Sequence, residues 1–237
     1  MPPHSTHLLL ESGRWLCPEL LVPQHSKCVV AVPVVAAVSL TAAPTSFMVI
    51  DKMGQALFKA SALQLPKEAA DVGVGAELVE HLHLTRHDGT SLATCQWRSP
   101  GVVGQFPECK IFQRDGLLFA TLKRDSGQVS WLSPLLRKAP KGGLAKSFAF
   151  ASASPGAWHL RVEGNVADSK FRFTDSESRT MATIERGQNL GFQQGGQEFF
   201  RVEVGSEVDT DLGLVTMVLL VLDRMLGSKA NEHHSVR

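Results

Sequence analysis

The sequence predicts a mainly β (α+β) fold, in which a closed antiparallel barrel of about twelve strands is wrapped around a hydrophobic central helix near the C-terminus. Short apolar runs, separated by turns that contain Asp and Gly, recur along residues 27–205. Regular hairpins at this spacing are typical of all-β barrels and sandwiches. Residues 208–226 then form one stretch that is apolar on every side of a helix. Such a helix must be surrounded by other apolar groups, and a closed sheet can surround it.

The central helix is predicted over residues 209–226. Asp209 is placed as its N-cap, and Asp211 falls in the first turn, where a carboxylate meets the positive end of the helix dipole. Gly227 is placed just past the last residue. The apolar run, 212–222, is about half of the roughly 20 residues that a membrane span needs. A helix inside a protein core is therefore favoured over a transmembrane span.

Composition and charge narrow the class of protein. The chain has 237 residues, 43% hydrophobic and 20% charged, with a formal net charge of +1. This balance supports a sizeable core and does not favour a general nucleic-acid binder. The cysteines, Cys17, Cys28, Cys95 and Cys109, have no metal-ligand spacing and are interpreted as reduced thiols. The N-terminus lacks a signal-peptide pattern, so we expect a cytoplasmic protein with peripheral membrane association as a further option.

One domain is predicted. Residues 1–26, rich in Pro, His and Ser, are expected to be a flexible arm. Residues 27–228 are expected to be the barrel domain with its helix, and residues 229–237 a disordered tail.

Hairpins are expected within this domain, after a β-branched first strand that follows Lys27. They cover 46–61, 79–98, 109–125, 145–164 and 169–186, and the last strand, 196–205, leads into the helix. Their turns are placed at Asp51 to Gly54, Asp88-Gly89, Asp115-Gly116, 154–156 and 175–178. Asp hydrogen-bonds the turn backbone and Gly accepts a positive φ. Loops are expected at 66–75, 99–107, 133–143 and 187–195.

The order of these elements resembles the LURP-one-related proteins of the tubby C-terminal-like superfamily, whose fold is also similar to that of the phospholipid scramblases. The resemblance is carried by FMVIDKMGQALFKA, by WHLRVEGNVADSKFRFTD and by FFRVEVGSEVDTDLGLVTMVLLVLDRM. In the last of these, a strand is followed by an acidic turn at Asp209, the hydrophobic helix and Asp223. The resemblance covers about residues 27–228 and implies a twelve-stranded antiparallel barrel around the C-terminal helix.

The resemblance also implies a lipid headgroup site, because tubby domains are associated with phosphoinositides through basic side chains on the barrel surface. The candidates lie on the hairpin at 109–125, and the loop after it contributes further cations. Clustered cations suit phosphate, and Arg can bind two of its oxygens at once. The alternative is an ordinary solvated strand face, partly neutralised by Asp115 and Asp125. The candidate headgroup residues are Lys110, Arg114, Lys123 and Arg124, and the loop residues are Arg137, Lys138 and Lys141.

Two sets of residues could hold a metal ion, although no metal site is predicted. His81 and His83 share a face of a predicted strand, with His87 at the same parity, and imidazoles bind zinc. Surface histidines on a polar strand face are the simpler interpretation. Scramblase relatives are associated with calcium through acidic residues near the last helix, but helix capping explains Asp209 and Asp211 without an ion. Whether either set binds a metal is left open.

No catalytic motif is present: the sequence has no GxSxG, HExxH, GxxxxGK[ST], or GxGxxG before a helix, so no enzyme activity and no cofactor are predicted. The expected function is a non-catalytic binding or adaptor module, with phosphoinositide headgroups as its ligand class. The alternatives are a scramblase-like, membrane-active protein and a protein–protein interaction module. Expected partners are anionic phospholipid headgroups or a protein, with no specific nucleic acid and no transmembrane span.

Overall fold

A computed structural model describes residues 14–35, 43–66, 78–98, 108–124, 148–152, 159–165, 170–187, 198–205 and 207–232. These residues form a short 3-10 helix (Pro18–Leu20), fourteen strands and one α-helix. The first seven strands are β1 (Leu21–Val22), β2 (Cys28–Pro33), β3 (Thr45–Asp51), β4 (Ala56–Pro66), β5 (Leu78–Thr85), β6 (Ser91–Arg98) and β7 (Cys109–Gln113). The others are β8 (Leu118–Arg124), β9 (Phe148–Ser152), β10 (His159–Asn165), β11 (Lys170–Thr174), β12 (Thr180–Gly187), β13 (Phe199–Val204) and β14 (Thr210–Asp211), and the helix is α1 (Leu212–Glu232).

Twelve strands form one antiparallel ring around the helix. Their order is β10-β11-β12-β13-β2-β3-β4-β5-β6-β7-β8-β9, and β9 pairs with β10, so the strand order closes on itself. The pairing of β13 with β2, in which Val202 lies opposite Val30, joins the last strand of the ring to its first. The remaining two strands, β1 and β14, form a separate and open two-stranded sheet.

The predicted fold class therefore needs a correction. The sequence predicts one closed antiparallel barrel of about twelve strands, whereas the described residues form fourteen strands in two sheets, and the second sheet is open. The second sheet pairs Leu21 with Asp211 and Val22 with Thr210. Thr210 and Asp211 lie where the first turn of the helix was expected. No local pattern reveals that these residues pair with a segment near the other end of the chain.

The hairpin turns have the chemistry that the sequence predicts. Gly54, Gly89 and Gly116 have φ values of 78°, 85° and 83°, and Ser178 has 63°. In each of these four turns an aspartate accepts hydrogen bonds from backbone N–H groups that follow it, which is the local bond that favours Asp in turns. The bonds run from Met53 and Gln55 to Asp51, from Thr90 to Asp88, from Leu117 to Asp115, and from Glu177 and Arg179 to Asp175.

The helix fills the centre of the ring. Every side chain from Leu212 to Asp223 is buried. The apolar side chains among them share one core cluster with inward-facing residues of the strands, including Phe58, Leu84 and Phe173. This is the surrounding that a helix apolar on all sides requires. Among the described residues, no helix is long and apolar enough to cross a membrane.

The predicted helix bounds, 209–226, are wrong at both ends. The helix begins at Leu212 because Asp211, rather than Asp209, accepts a hydrogen bond from the N–H of Leu214 (2.9 Å) and so caps it. It ends at Glu232, so Gly227 lies inside it. A glycine costs about 1 kcal/mol of helix propensity but does not by itself end a helix. Residues 229–232 of the predicted disordered tail are thus helical, and 233–237 lie outside the described residues.

The predicted flexible arm, 1–26, is wrong for the part of it that the structure describes, residues 14–26. Trp15, Leu16 and Cys17 are 7%, 2% and 0% exposed. Cys17 packs against Gly213 at the start of the helix, and Leu16 and Cys17 belong to the same core cluster as the helix side chains. Residues 14–26 therefore belong to the folded domain. The predicted loops lie outside the described residues, except that Pro66 and Gly187 end strands β4 and β12. The turn at 154–156 also lies outside.

Candidate functional site

One end of the ring gathers several hairpin turns and part of residues 14–26, which we call the N-terminal segment. Successive antiparallel strands alternate in direction, so the turns after β3, β5, β7 and β11 all lie at the same end. We call this the turn end. Residues of the N-terminal segment contact two of these turns. Arg86 Nη2 donates to Glu19 Oε1 at 3.1 Å, and Gln113 Nε2 donates to the backbone oxygen of Trp15 at 3.0 Å.

The structure brings two of the four predicted headgroup residues together. Lys110 on β7 lies opposite Thr121 on β8, which makes Lys123 its diagonal neighbour on the same outward face, with backbones about 7–8 Å apart. Both lysines are exposed. Lys123 Nζ lies 3.8 Å from Glu108 Oε2, and both side chains are more than half exposed (65% and 52%). An ion pair this exposed contributes little to stability and leaves the ammonium group available to a ligand.

The other two predicted residues are not part of this pair. Arg114 lies in the turn after β7, at the turn end, and four residues of extended chain place it about 13 Å from Lys110. Arg124 is the last residue of β8, where its backbone is paired with Phe148. The additional cations Arg137, Lys138 and Lys141 lie outside the described residues. The predicted cluster is therefore a lysine pair with a separate arginine.

Arg114 lines a cleft of about 550 Å³ between the N-terminal segment and the turns after β5 and β7. The cleft also contains Glu19, Arg86 and Asp115. Its two cations are matched by two carboxylates. Arg86 is already paired with Glu19, whereas Arg114 makes no ion pair with any residue that the structure describes. The cleft as a whole carries no excess of positive charge.

A second surface feature lies on the outer face of β10–β13. It is a groove of about 410 Å³ lined by three cations and three carboxylates. Two of the ion pairs join facing positions on neighbouring strands, Lys170 with Glu185 at 3.0 Å and Arg172 with Glu163 at 2.9 Å. The third, Arg201 with Glu203 at 3.2 Å, lies along one strand. Opposite charges at facing strand positions stabilise the sheet modestly. The groove presents both signs of charge in alternation rather than one.

The three histidines are not brought together. The rings of His81 and His83 stack with centroids 6.2 Å apart on β5. Burial lowers the pKa of both, and the neighbouring His83 lowers that of His81 further. His87 instead places its Nε2 2.7 Å from the backbone oxygen of Ala56. Within the described parts of the chain, no group of three or more His, Cys, Asp or Glu residues could hold a metal ion.

Asp209 and Asp211 both bind the N-terminal segment. Asp209 Oδ1 accepts from the N–H of Gln24 at 2.8 Å, and Asp211 Oδ2 accepts from the N–H of Cys17 at 2.8 Å. Because the other oxygen of Asp211 caps the helix, this carboxylate joins the helix start to the N-terminal segment. Burial raises the pKa of Asp211, and the hydrogen bonds that its carboxylate accepts from backbone N–H groups partly offset this rise.

Hydrogen bonds to earlier parts of the chain also hold the helix at the end of its apolar run. Asp223 Oδ2 accepts from the N–H of Val35 at 2.7 Å, and Arg224 Nε donates to Glu80 Oε2 on β5 at 3.1 Å. Sequence reasoning missed these contacts and the role of Glu80. The one signal in the sequence is the pair of acidic residues that flank the apolar run of the helix, Asp211 and Asp223. Helix capping and the family resemblance already account for these residues, so the sequence does not point to the contacts.

Comparisons with known proteins give the following. No family model matches the chain, and no curated protein matches it. Among solved structures, the X-ray structure of a protein from Arabidopsis thaliana is similar, with 16% sequence identity and a TM-score of 0.49. The similarity covers 90% of this chain and 98% of that chain.

Proposed function

We propose that this protein is a non-catalytic binding or adaptor module that uses the outer surface of its barrel. The observation that carries the proposal is the filled interior, where helix side chains such as Leu214, Val218 and Val221 are at most 1% exposed. A centre packed in this way leaves recognition to the strand faces and the turn end. We further propose that the chain belongs to the LURP-one-related class of the tubby-like superfamily. The order of hairpins and helix in the sequence supports this proposal.

The proposed ligand is an anionic phospholipid headgroup of the phosphoinositide class, and its proposed contacts are Lys110 and Lys123. These two lysines stand on one exposed face, and Thr121 lies directly opposite Lys110 on the strand that carries Lys123. Ammonium groups bind phosphate as point charges, and a neighbouring hydroxyl can donate a further hydrogen bond. Arg114 is proposed as a separate contact at the turn end. The site is thereby narrower than the four residues expected from the sequence.

A scramblase-like activity is not proposed. It would require the helix to leave the barrel, and nine large apolar side chains between Leu212 and Leu222 are buried in the core. At about 1.5–3 kcal/mol each, moving nine such side chains into water costs on the order of 14–27 kcal/mol. This cost lies at or above the upper end of the roughly 5–15 kcal/mol by which domains are ordinarily stable.

A protein–protein interaction module is the second candidate, and the groove on β10–β13 favours it. Its alternating charges match a peptide segment that carries both signs. Exchanging the paired residues, as Glu163→Arg with Arg172→Glu, keeps one ion pair and reverses the local pattern. A partner that binds the groove should bind the exchanged protein at least tenfold more weakly. Equal binding by both proteins would place that partner elsewhere.

The headgroup proposal is tested by liposome co-sedimentation, with and without phosphoinositide, at low and moderate salt. The test variant is Lys110→Gln/Lys123→Gln. The matched control is Lys170→Gln/Arg172→Gln, which removes the same charge from exposed positions on β11. A basic residue at an anionic surface contributes about 1 kcal/mol. The test variant should therefore lose about 30-fold in affinity, and the control should lose much less.

Three outcomes separate the possibilities. A loss confined to the test variant, together with weaker binding at higher salt, supports the lysine pair. An equal loss in both variants means that overall charge, not this face, drives binding. Absence of binding to phosphoinositide vesicles at either salt overturns the headgroup proposal and leaves the protein-binding candidate. Arg114→Gln, measured separately, shows whether the turn end contributes.

A further inference from the structure

Two cysteines lie next to each other inside the barrel. Cys95 is on β6 and Cys109 is on β7, and both are 0% exposed. The register of the two strands pairs Cys95 with Ile111 and Trp97 with Cys109. The cysteines are therefore diagonal neighbours on the inward face.

Their sulfur atoms are in closer contact than ordinary packing allows. The two Sγ atoms are 2.7 Å apart, whereas non-bonded carbon atoms pack at about 3.5–4.0 Å, and sulfur is the larger atom. A disulfide bond is about 2.05 Å long. The side chains thus need to approach by only about 0.7 Å to bond. The strands that carry the two cysteines are already hydrogen-bonded neighbours, so they do not have to be brought together first.

The other two cysteines lie in different surroundings. Cys17 packs against Gly213 at the start of the helix, and Cys28 is half-buried at the start of β2. Neither is on a strand next to β6 or β7 in the ring. The contact between Cys95 and Cys109 is therefore specific to these two positions.

We propose that Cys95 and Cys109 form an intramolecular disulfide that fastens β6 to β7 and closes the loop between them. The oxidant is a low-molecular-weight disulfide of the glutathione class. One cysteine thiolate attacks a sulfur of the small disulfide, which forms a mixed disulfide and releases one small thiol. The second cysteine thiolate then attacks the protein sulfur and releases the other small thiol. Overall, two protein thiols are oxidised and one small disulfide is reduced to two thiols.

The bond forms while the barrel assembles. In the folded protein, burial raises the pKa of Cys95 and keeps its thiol protonated, and the thiolate is the reactive form. The closed ring and the helix also keep a hydrophilic oxidant from reaching either sulfur. The chain between the two cysteines is short, with a sequence separation of 14, so β6 and β7 can meet before the C-terminal helix is in place.

The test starts from the reduced and denatured full-length chain, refolded either in a mixture of reduced and oxidised glutathione or in excess reductant. After refolding in the glutathione mixture, the intact mass should be lower by two hydrogen atoms. Non-reducing peptide mapping should join the peptide that contains Cys95 to the one that contains Cys109. Cys28→Ala should keep this bond, and Cys95→Ala should abolish it. The mapping of the unmodified chain does not depend on whether a variant folds.

Two further measurements follow from the buried position. A crosslink that closes a loop of about 15 residues should raise the Tm of the oxidised protein over the reduced one by about 6–12 °C. Oxidised glutathione added to the folded, reduced protein should convert the pair at least tenfold more slowly than refolding does. Four free thiols after refolding with glutathione overturn the proposal, as does a glutathione adduct without the crosslink. A disulfide that maps to Cys17 or Cys28 also overturns it.

Discussion

Replacing Gly213 with alanine tests how tightly the N-terminal segment is packed on the helix. Gly213 is the second residue of the helix, where alanine would ordinarily be more favourable by up to about 1 kcal/mol. Here an added Cβ would contact Cys17 Sγ and would lie 2.7 Å from Cys17 Cβ. Non-bonded carbon atoms pack at about 3.5–4.0 Å, so the segment would have to move away by roughly 1 Å.

The steric cost should exceed the gain in helix propensity. Overpacking a tightly filled site typically costs about 1–3 kcal/mol. The move also strains the bond from the Cys17 N–H to Asp211, which is 2.8 Å long. We therefore expect Gly213→Ala to lower the free energy of unfolding by about 1–2 kcal/mol, measured by urea denaturation. Faster hydrogen exchange at the Cys17 amide would show that the segment, and not the helix, gives way.

A double-mutant cycle with Cys17→Gly isolates this contact. Removing the Cys17 side chain removes the two nearest atoms that the new methyl group meets and leaves Asp211 Oδ1, at 3.2 Å. In the Cys17→Gly background, Gly213→Ala should therefore be neutral or stabilising by up to about 1 kcal/mol, and the coupling between the two positions should be about 1–3 kcal/mol. The reasoning is refuted if Gly213→Ala has the same effect in both backgrounds.

Four other perturbations have defined outcomes. Asp211→Asn removes a carboxyl whose pKa is raised by burial. The stability that this carboxyl contributes is complete below its unfolded pKa and is lost as the pH rises through the folded pKa. Denaturation at a series of pH values should therefore show that the free energy of unfolding of the wild type falls relative to that of the variant as the pH rises. Arg224→Met leaves Glu80 buried without the Arg224 guanidinium and should cost about 3 kcal/mol by denaturation, whereas Arg224→Met with Glu80→Leu should recover most of it. Gly89→Ala, at φ 85° with open space around it, should cost about 1 kcal/mol of stability from backbone strain alone, and a larger loss would indicate a contact. Deleting residues 1–26 exposes the surface that buries the N-terminal segment and should leave a chain without a cooperative thermal transition; an unchanged Tm would contradict the contacts described above.

The hairpins could be predicted because their information is local. Each turn needs an aspartate that bonds the following backbone and a residue that accepts positive φ, and both stand side by side in the sequence, as in Asp88-Gly89 and Asp115-Gly116. The apolar helix could be predicted for the same reason, since its composition alone demands burial. The exact start of the helix could not, because Asp209 and Asp211 are equally suited to cap a helix. The choice between them depends on the N-terminal segment.

The N-terminal segment itself could not be predicted. Its apolar residues, Trp15, Leu16 and Val22, show no strand or helix period, and the polar residues around them suggest a flexible arm. Its strand has only two residues and pairs with a segment near the other end of the chain. Pairings of this kind are decided by the closed fold and leave no periodic signal in the sequence.

The predicted cationic cluster is divided in the structure, and its role in binding stays a prediction. Lys110, Arg114, Lys123 and Arg124 are close in sequence, and their place on one hairpin made them look like one cluster. A hairpin, however, carries residues away from one another by about 3.3 Å per position along each strand. Only cross-strand neighbours such as Lys110 and Lys123 end up together. Sequence proximity on a strand is thus weaker evidence for a shared site than the same proximity on a turn.

The acidic residues around the helix connect the two ends of the chain. Asp209, Asp211 and Asp223 accept backbone N–H groups from Gln24, Cys17 and Val35, respectively. Every one of these bonds joins the C-terminal helical region to the first part of the fold. Because β13 also pairs with β2, the ring cannot be completed until the last part of the chain is present. The helix and the N-terminal segment therefore stabilise each other, and the outer strand faces that we propose for binding are held in place by one shared core.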